Sequence, residues 1–237
     1  MKFSGLAHYP NMFNSVLPMD EFNKIAGLYG RNFFRLTLPF LLVLGVSLGV
    51  GLFGPPEGPL PTVLVGLAFG LLLLFAAGSS TIDSWGAYHG LEFGLRQNWK
   101  YLGKKLPLLL VSTVVTASPW LLMLYLFLNF YSFFLFVPLA VYPFFFVYVV
   151  PGLLIKDEGP VAAIKDSFRT SWSHTTRTAV ITYLPGVLVV GLSSVGIYSP
   201  IFLLIAPVWF VFLTVTYCNF TECPKSIERL NLDNRQQ

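Results

Sequence analysis

The chain has 237 residues, of which 55% are hydrophobic and only 11% are charged, and its mean hydropathy is +0.69. A water-soluble globular domain carries about 25% charged residues, so this composition excludes a soluble globule. The aromatic fraction of 16% also excludes a disordered chain. The charged residues form no acidic or basic block, and we expect no nucleic-acid partner. The composition indicates an all-α, polytopic integral membrane protein.

The N-terminal residues 1–35 are predicted to form a cytoplasmic segment with an amphipathic helix. Its apolar residues follow a helical spacing at Phe22, Ile25, Leu28 and Tyr29. The first 18 residues lack a continuous apolar run and a small-residue cleavage site, so we expect no signal peptide. Residues 36–219 are predicted to form a single membrane domain, and residues 220–237 a cytoplasmic tail.

The membrane domain is predicted to contain six transmembrane helices. A helix needs about 20 apolar residues to cross a bilayer core of about 30 Å, and six stretches without Asp, Glu, Lys or Arg approach or reach that length. They are residues 36–53, 62–78, 107–128, 133–155, 178–195 and 201–218. We predict that these spans pair into three hairpins, each preceded by a cytoplasmic amphipathic segment. The segments are residues 20–35, 82–105 and 160–177, and Pro160, which follows the turn KDEGP, suits the first turn of a helix.

The distribution of charge predicts the orientation in the membrane. All 15 Lys and Arg residues lie on one side of these spans, whereas the three short turns on the other side contain only Glu57. The positive-inside rule then places both termini in the cytoplasm, and we expect the plasma membrane. This placement also accounts for the basic pI and for attraction to anionic membrane lipids. Any protein partner, such as a transporter subunit, is expected at the cytoplasmic face.

The second span carries a row of glycines at intervals of four or eight residues. If one helix runs from about Thr62 to Asn98, it is about 55 Å long, and the row lies on one of its faces. Small residues allow another helix to approach closely, so we predict a helix-packing ridge. An internal helix crossing is favoured, and a homo-oligomer is the alternative. The ridge consists of Gly66, Gly70, Gly78, Gly86, Gly90 and Gly94.

The segments at the membrane edge share an arginine followed three residues later by an aromatic side chain. On a helix these two positions lie on the same face. Aromatic-belt and phosphate anchoring, as any interfacial helix can show, is the favoured explanation of these pairs. Binding of a partner or of lipid headgroups by a repeated unit around a pseudo-threefold axis is the functional alternative. The pairs are Arg31 with Phe34, Arg96 with Trp99, and Arg169 with Trp172.

Prolines inside the predicted spans indicate interrupted helices. Each proline removes one N–H group, so a backbone carbonyl in the preceding turn needs another donor. Kinks that serve packing are the expected outcome, although broken helices also form binding sites in transporters. The prolines are Pro119, Pro138, Pro143, Pro185 and Pro207.

The sequence offers little for catalysis. The spans contain no ionisable Asp, Glu, Lys or Arg, and no metalloprotease, P-loop, serine-hydrolase or dinucleotide motif is present. Cys218 and Cys223 are two thiols at the membrane edge, which is too few for a metal site. We therefore expect no catalytic residues, no metal and no cofactor.

Three segments resemble the YesL-like family of multi-pass membrane proteins. They are Phe22–Leu42 (FNKIAGLYGRNFFRLTLPFLL), Phe93–Lys105 (FGLRQNWKYLGKK) and Pro151–Trp172, in which an apolar span, the acidic turn KDEGP and Ala-Ile-Lys-Asp-Ser-Phe follow one another. The last segment is also similar to YciC-type proteins and to the membrane domain of some glycerophosphodiester phosphodiesterases. The resemblance implies a six-helix membrane domain without known catalysis, associated with carbohydrate uptake.

Together these observations favour a non-catalytic membrane protein that acts by interaction, as an accessory to transport or envelope assembly. The alternative is a channel or facilitator for a small neutral solute, with a polar cavity flanked by Thr116, Tyr142 and Thr214. A membrane-embedded enzyme is the third hypothesis. It requires five polar side chains to converge on one cleft, namely Asp83, His89, Glu92, Asp166 and His174.

Overall fold

The computed structural model describes residues 19–53, 58–91, 93–130, 133–194, 200–221 and 223. Over this part of the chain all regular structure is helical. The elements are α1 Met19–Arg31, α2 Phe33–Phe53, α3 Pro59–Tyr88, α4 Leu95–Phe130, a 3-10 turn Phe133–Leu135, α5 Phe136–Phe146, α6 Val149–Ile155, α7 Pro160–Ser173, α8 Thr175–Ser194 and α9 Pro200–Thr221.

Four helical segments are long and apolar enough to cross a membrane, which makes the chain a helical membrane protein. They are Phe33–Val50, Leu60–Tyr88, Leu95–Asn129 and Val137–Ile155. The last two predicted spans lie on α8 and α9. Glu57 lies outside the described residues, as does most of the predicted tail.

Helix α3 is shorter than the glycine row predicts. It ends at Tyr88, so its 30 residues cover about 45 Å rather than about 55 Å. Gly90 adopts φ +71°, and the N–H groups of Gly90 and Leu91 donate to the carbonyls of Ala87 and Gly86. These two bonds form a Schellman motif, which ends a helix at a glycine with positive φ. The condition of one continuous helix from Thr62 to Asn98 is therefore not met.

The amphipathic segments are also not three equivalent helices. Helices α1 and α7 match the first and third predicted segments. The second segment, residues 82–105, forms no separate helix, because its first part continues α3 to Tyr88 and its last part begins α4 at Leu95. The turn at Gly90 lies between these two parts.

The packed core lies where α3 ends and α4 begins. Helix α3 packs against α2, α4, α6 and α9. The largest cluster of buried side chains includes Trp85, Leu102, Tyr148, Leu154 and Tyr217. In contrast, the first half of α3 and the second half of α4 carry many exposed leucines and valines. A helix that crosses a membrane needs apolar side chains on the surface that contacts lipid, and these two helix halves present such surfaces.

Two tryptophans satisfy carbonyls that prolines leave without a donor. Pro143 removes the N–H group that would bond the Leu139 carbonyl, and Trp120 Nε1 donates to that oxygen at 3.1 Å. Pro185 does the same to the Ile181 carbonyl, which accepts a bond from Trp209 Nε1 at 2.9 Å. At these two positions, a tryptophan of another helix supplies the donor that each carbonyl needs.

The glycine row is divided among different environments. A Cβ atom at Gly78 would lie 2.5 Å from Leu102 Cδ1, and one at Gly86 would lie 2.8 Å from the Phe93 ring. Among the described residues, no atom beyond the adjacent backbone of the helix lies within 4 Å of the corresponding positions at Gly66 and Gly70. Gly90 follows the C-cap residue His89, and Gly94 lies further beyond the end of α3. The close packing is therefore concentrated at Gly78 and Gly86, and a homo-oligomer through the other glycines stays a prediction.

Candidate functional site

Helix α7 is positioned by the proline turn that precedes it. Pro160 occupies the first turn of the helix, where its missing N–H costs nothing. Asp157 in the preceding KDEGP turn adopts φ 56°, so the predicted turn is present. One face of α7 consists of small or hydroxyl side chains that are buried in the protein: Ala163, Ser167, Thr170 and Ser171.

The buried face of α7 is hydrogen-bonded to the break between α5 and α6. Ser167 Oγ donates to the Phe145 carbonyl at 2.7 Å and accepts a bond from the Tyr148 N–H at 3.1 Å. Ser171 Oγ donates to the Phe144 carbonyl at 2.9 Å. Backbone groups left over by the interrupted helix are thus satisfied by serines, and α7 is fixed against α5 and α6.

The opposite face of α7 combines exposed apolar and basic side chains. Val161, Phe168 and Trp172 are 81%, 50% and 68% exposed. Lys165 and Arg169 lie on the same face, since positions three, four, seven and eleven apart share a helix face. Both cations are exposed, and neither has an ion-pair partner among the described residues. We call these five side chains the α7 outer face.

The aromatic side chains of the α7 outer face are held by a ring in α5. Phe145 stacks on Phe168 with ring centroids 4.5 Å apart, and on Trp172 at 6.3 Å. Phe145 belongs to the segment Val137–Ile155, which is long and apolar enough to cross a membrane. The α7 outer face therefore packs directly against that segment.

A polar network anchors the turn before α7. Lys156 Nζ lies 2.9 Å from Asp166 Oδ2, and Tyr217 donates a hydrogen bond of 2.6 Å to the same oxygen. Lys105 of α4 pairs with Asp157. Burial raises the pKa of Glu158, the Asp166 carboxylate raises it further, and Lys156 lowers it in part. This network joins α4, α7 and α9 around the turn.

The other two arginine–aromatic pairs differ from the pair in α7. Arg31 and Phe34 are exposed, Phe34 by 82%, and they flank Asn32 between α1 and α2. Arg96 is exposed, but Trp99 is half-buried and packs edge-on against Phe75 with centroids 5.6 Å apart. The three predicted pairs therefore occupy three different environments.

A buried ion pair was not predicted from the sequence. Arg35 Nε of α2 lies 2.7 Å from Asp83 Oδ1 of α3, and the Asp83 side chain is 1% exposed. Asn98 of α4 donates to the Ser79 carbonyl and hydroxyl, at 3.2 and 3.3 Å, and interacts with the Asp83 carboxylate. This cluster joins three helices near the ends of their apolar segments.

The residues named for an enzyme do not share partners. Asp83 pairs with Arg35, whereas Asp166 pairs with Lys156 and Tyr217. His89 packs edge-on against Trp85 and Tyr88, and His174 stacks on Phe220 at 3.8 Å. Burial lowers the pKa of His174, and neighbouring Arg177 lowers it further. Glu92 lies outside the described residues.

The residues predicted to flank a channel make contacts within or close to their own helices, or are buried. Thr116 donates to the Ser112 carbonyl of its own helix, Tyr142 stacks on Phe146, and Thr214 is buried in α9. Cys218 and Cys223 are buried free thiols. In the part of the chain that the structure describes, no three His, Cys, Asp or Glu side chains group to hold a metal ion.

Comparison with known proteins gives no match to a family model, to a curated protein or to a solved structure. The resemblance to the YesL-like family therefore stays a prediction.

Proposed function

We propose that this chain is a non-catalytic plasma-membrane protein that acts by interaction at its cytoplasmic edge, as an accessory to transport or envelope assembly. The family resemblance favours carbohydrate uptake as the transport process. The proposal includes six spans, which adds α8 and α9, of 20 and 22 residues, to the four long apolar segments. The proposal also places both termini in the cytoplasm. With six spans, all 15 basic residues fall on the same side of the membrane as the two termini, and the positive-inside rule makes that side cytoplasmic.

The α7 outer face is the observation that carries the proposal. Exposed tryptophan, phenylalanine and arginine side chains are typical of the residues that contribute most to protein–protein binding. Trp172, Phe168 and Arg169 present these groups together at the membrane edge. A second membrane protein, such as a transporter subunit, can pack apolar side chains on the rings and place acidic groups beside Lys165 and Arg169.

The rigidity of α7 supports the same function. Ser167 and Ser171 bond the helix to α5, and Phe145 stacks on both exposed rings. A preorganised surface loses less side-chain entropy when a partner binds. The α7 outer face is therefore better suited to binding than a mobile loop of the same composition.

The experiment is quantitative mass spectrometry of everything that co-purifies with the chain in native lipid particles. The test variant is Arg169→Ala with Trp172→Ala, which removes exposed groups and leaves the buried face of α7 intact. The matched control is Lys104→Ala with Val115→Ala, because both side chains are exposed on α4. Thermal unfolding of each variant checks that the fold is retained.

We expect a stoichiometric membrane-protein partner that is lost from the α7 variant and retained by the control. Loss of that partner with an unchanged unfolding temperature would support the proposal. If both variants retain every co-purifying protein, or if the wild type carries bulk lipid alone, the proposal is wrong.

A further inference from the structure

A groove lies at the junction between α1 and α2, far from α7 in the sequence. Its volume is about 700 Å³, and it is lined by the consecutive residues 29–35. Helical hydrogen bonds continue across Asn32, from Asn32 N–H to the Leu28 carbonyl and from Leu36 N–H to the Asn32 carbonyl. Arg31 and Arg35 are four residues apart on this nearly continuous helix, so both guanidinium groups lie on the groove side.

The Arg35 guanidinium is held in place by one ion pair, and part of its hydrogen-bonding capacity is left over. Its Nε donates to Asp83, and its buried Nη2 has no hydrogen-bond acceptor among the described residues. About a quarter of the side chain, 26%, remains exposed. Arg31 is exposed, with no carboxylate paired to it in the described part of the chain. The groove therefore presents one exposed cation and one positioned guanidinium, which together favour an anionic ligand.

An exposed apolar stripe leads away from the groove along α2. Phe34 is 82% exposed, and Leu38, Leu41 and Leu42 follow it at helical spacing with 37%, 42% and 51% exposure. This stripe belongs to the segment Phe33–Val50, which is long and apolar enough to cross a membrane. A ligand with a phosphate at the groove can thus lay hydrocarbon along the stripe.

We propose that Arg31, Arg35 and the α2 stripe form a binding site for one anionic phospholipid. The phosphate lies between the two guanidinium groups, and the acyl chains follow Phe34, Leu38 and Leu41. Asp83 acts as a positioning residue, because its buried carboxylate holds the Arg35 side chain in place. The site rests on the membrane placement in the proposed function, but not on a protein partner at α7.

The test is native mass spectrometry of the full chain after delipidation, titrated with phosphatidylglycerol or with phosphatidylcholine. We expect one phosphatidylglycerol molecule to bind more tightly than phosphatidylcholine. Arg31→Gln should weaken phosphatidylglycerol binding by about tenfold, the effect of one charge-assisted hydrogen bond. Lys104→Gln is the matched control, since Lys104 is an exposed cation outside the groove, and this variant should bind phosphatidylglycerol as tightly as the wild type.

Two further measurements identify the ligand. Phe34→Ala with Leu38→Ala should weaken lipid binding without changing the preference for anionic headgroups. Inorganic phosphate should compete poorly, because it lacks the acyl chains. Equal loss in the Arg31 and Lys104 variants would overturn the site, and full competition by inorganic phosphate would overturn its assignment to a lipid. Neither result depends on whether the α7 variant loses a protein partner.

Discussion

Arg35 Nε and Asp83 Oδ1 lie 2.7 Å apart, and this contact joins the beginning of α2 to the last turns of α3. The two side chains are not equally buried: Arg35 is 26% exposed and Asp83 is 1% exposed. Removing either partner leaves the other charge without compensation, and the cost grows with the burial of the remaining charge. We therefore expect different losses of stability when Arg35 and when Asp83 is replaced.

Arg35→Gln should destabilise the protein by about 3 kcal/mol, because it leaves the buried Asp83 carboxylate unpaired. Asp83→Asn should cost less, since Arg35 can reach solvent. The double variant should be more stable than Arg35→Gln alone. Thermal unfolding in detergent, with all three variants compared, measures these differences. Equal costs for the two single variants would show that burial does not decide the outcome.

The hydrogen bonds from tryptophans to the carbonyls that Pro143 and Pro185 leave without a donor predict a second effect on stability. Trp120→Phe removes the donor to the Leu139 carbonyl and should cost about 1 kcal/mol, as hydrogen bonds between membrane helices typically do. Pro143→Ala restores an N–H group for that carbonyl, so the same tryptophan substitution should cost less in that background. A double-mutant cycle on thermal stability measures the difference. A tryptophan cost that is unchanged by Pro143→Ala would contradict the account.

The divided glycine row gives a third prediction. Gly86→Ala should destabilise the protein, because its Cβ would lie 2.8 Å from the Phe93 ring and 3.1 Å from the Leu91 carbonyl oxygen. Gly66→Ala is the matched control on the same row, and its Cβ meets no atom of another described element within 4 Å. Because alanine is also the better helix former, the unfolding temperature of this variant should not fall below that of the wild type at a concentration where the protein is monomeric. Loss of an oligomer in the Gly66 variant would assign that glycine an intermolecular role.

Glu158 predicts a dependence of stability on pH. Burial and the neighbouring Asp166 raise the pKa of this carboxyl above its ordinary value of 4.5 in the folded protein. Its contribution to stability is therefore present below that ordinary value and is lost as pH rises through the raised pKa. Glu158→Gln should lose less stability than the wild type between pH 4.5 and neutral pH. Thermal unfolding across this range measures the difference, and parallel curves for the two proteins would contradict the prediction.

The local features of the fold could be predicted from the sequence where one signal dominated. Pro160 after the acidic turn predicts the beginning of α7, and the turn and helix are both present. The i+4 glycine row suggested one long helix through Gly90. A glycine one position after His89 also fits a helix end, and the Schellman bonds show that this second signal decides the structure.

The long-range contacts could not be predicted in the same way. Arg35 and Asp83 are 48 residues apart in the chain, and neither is marked by a motif. Proline positions predict which carbonyls lose a donor, but the donors, Trp120 and Trp209, are fixed by which helices pack together. The spacing of Arg169 and Trp172 predicts a shared face, whereas the exposure of that face depends on Ser167 and Ser171 docking the other side of α7.

The measurement that tests the central claim most directly is photo-cross-linking in living cells from position 172. Trp172 is replaced by photoreactive benzoylphenylalanine in one variant, and Val115, an exposed apolar residue of α4, is replaced in the other. The account predicts a cross-linked protein of one discrete mass from position 172 and none from position 115. The same adducts from both positions, or lipid adducts alone from position 172, would contradict a protein-binding role for the α7 outer face.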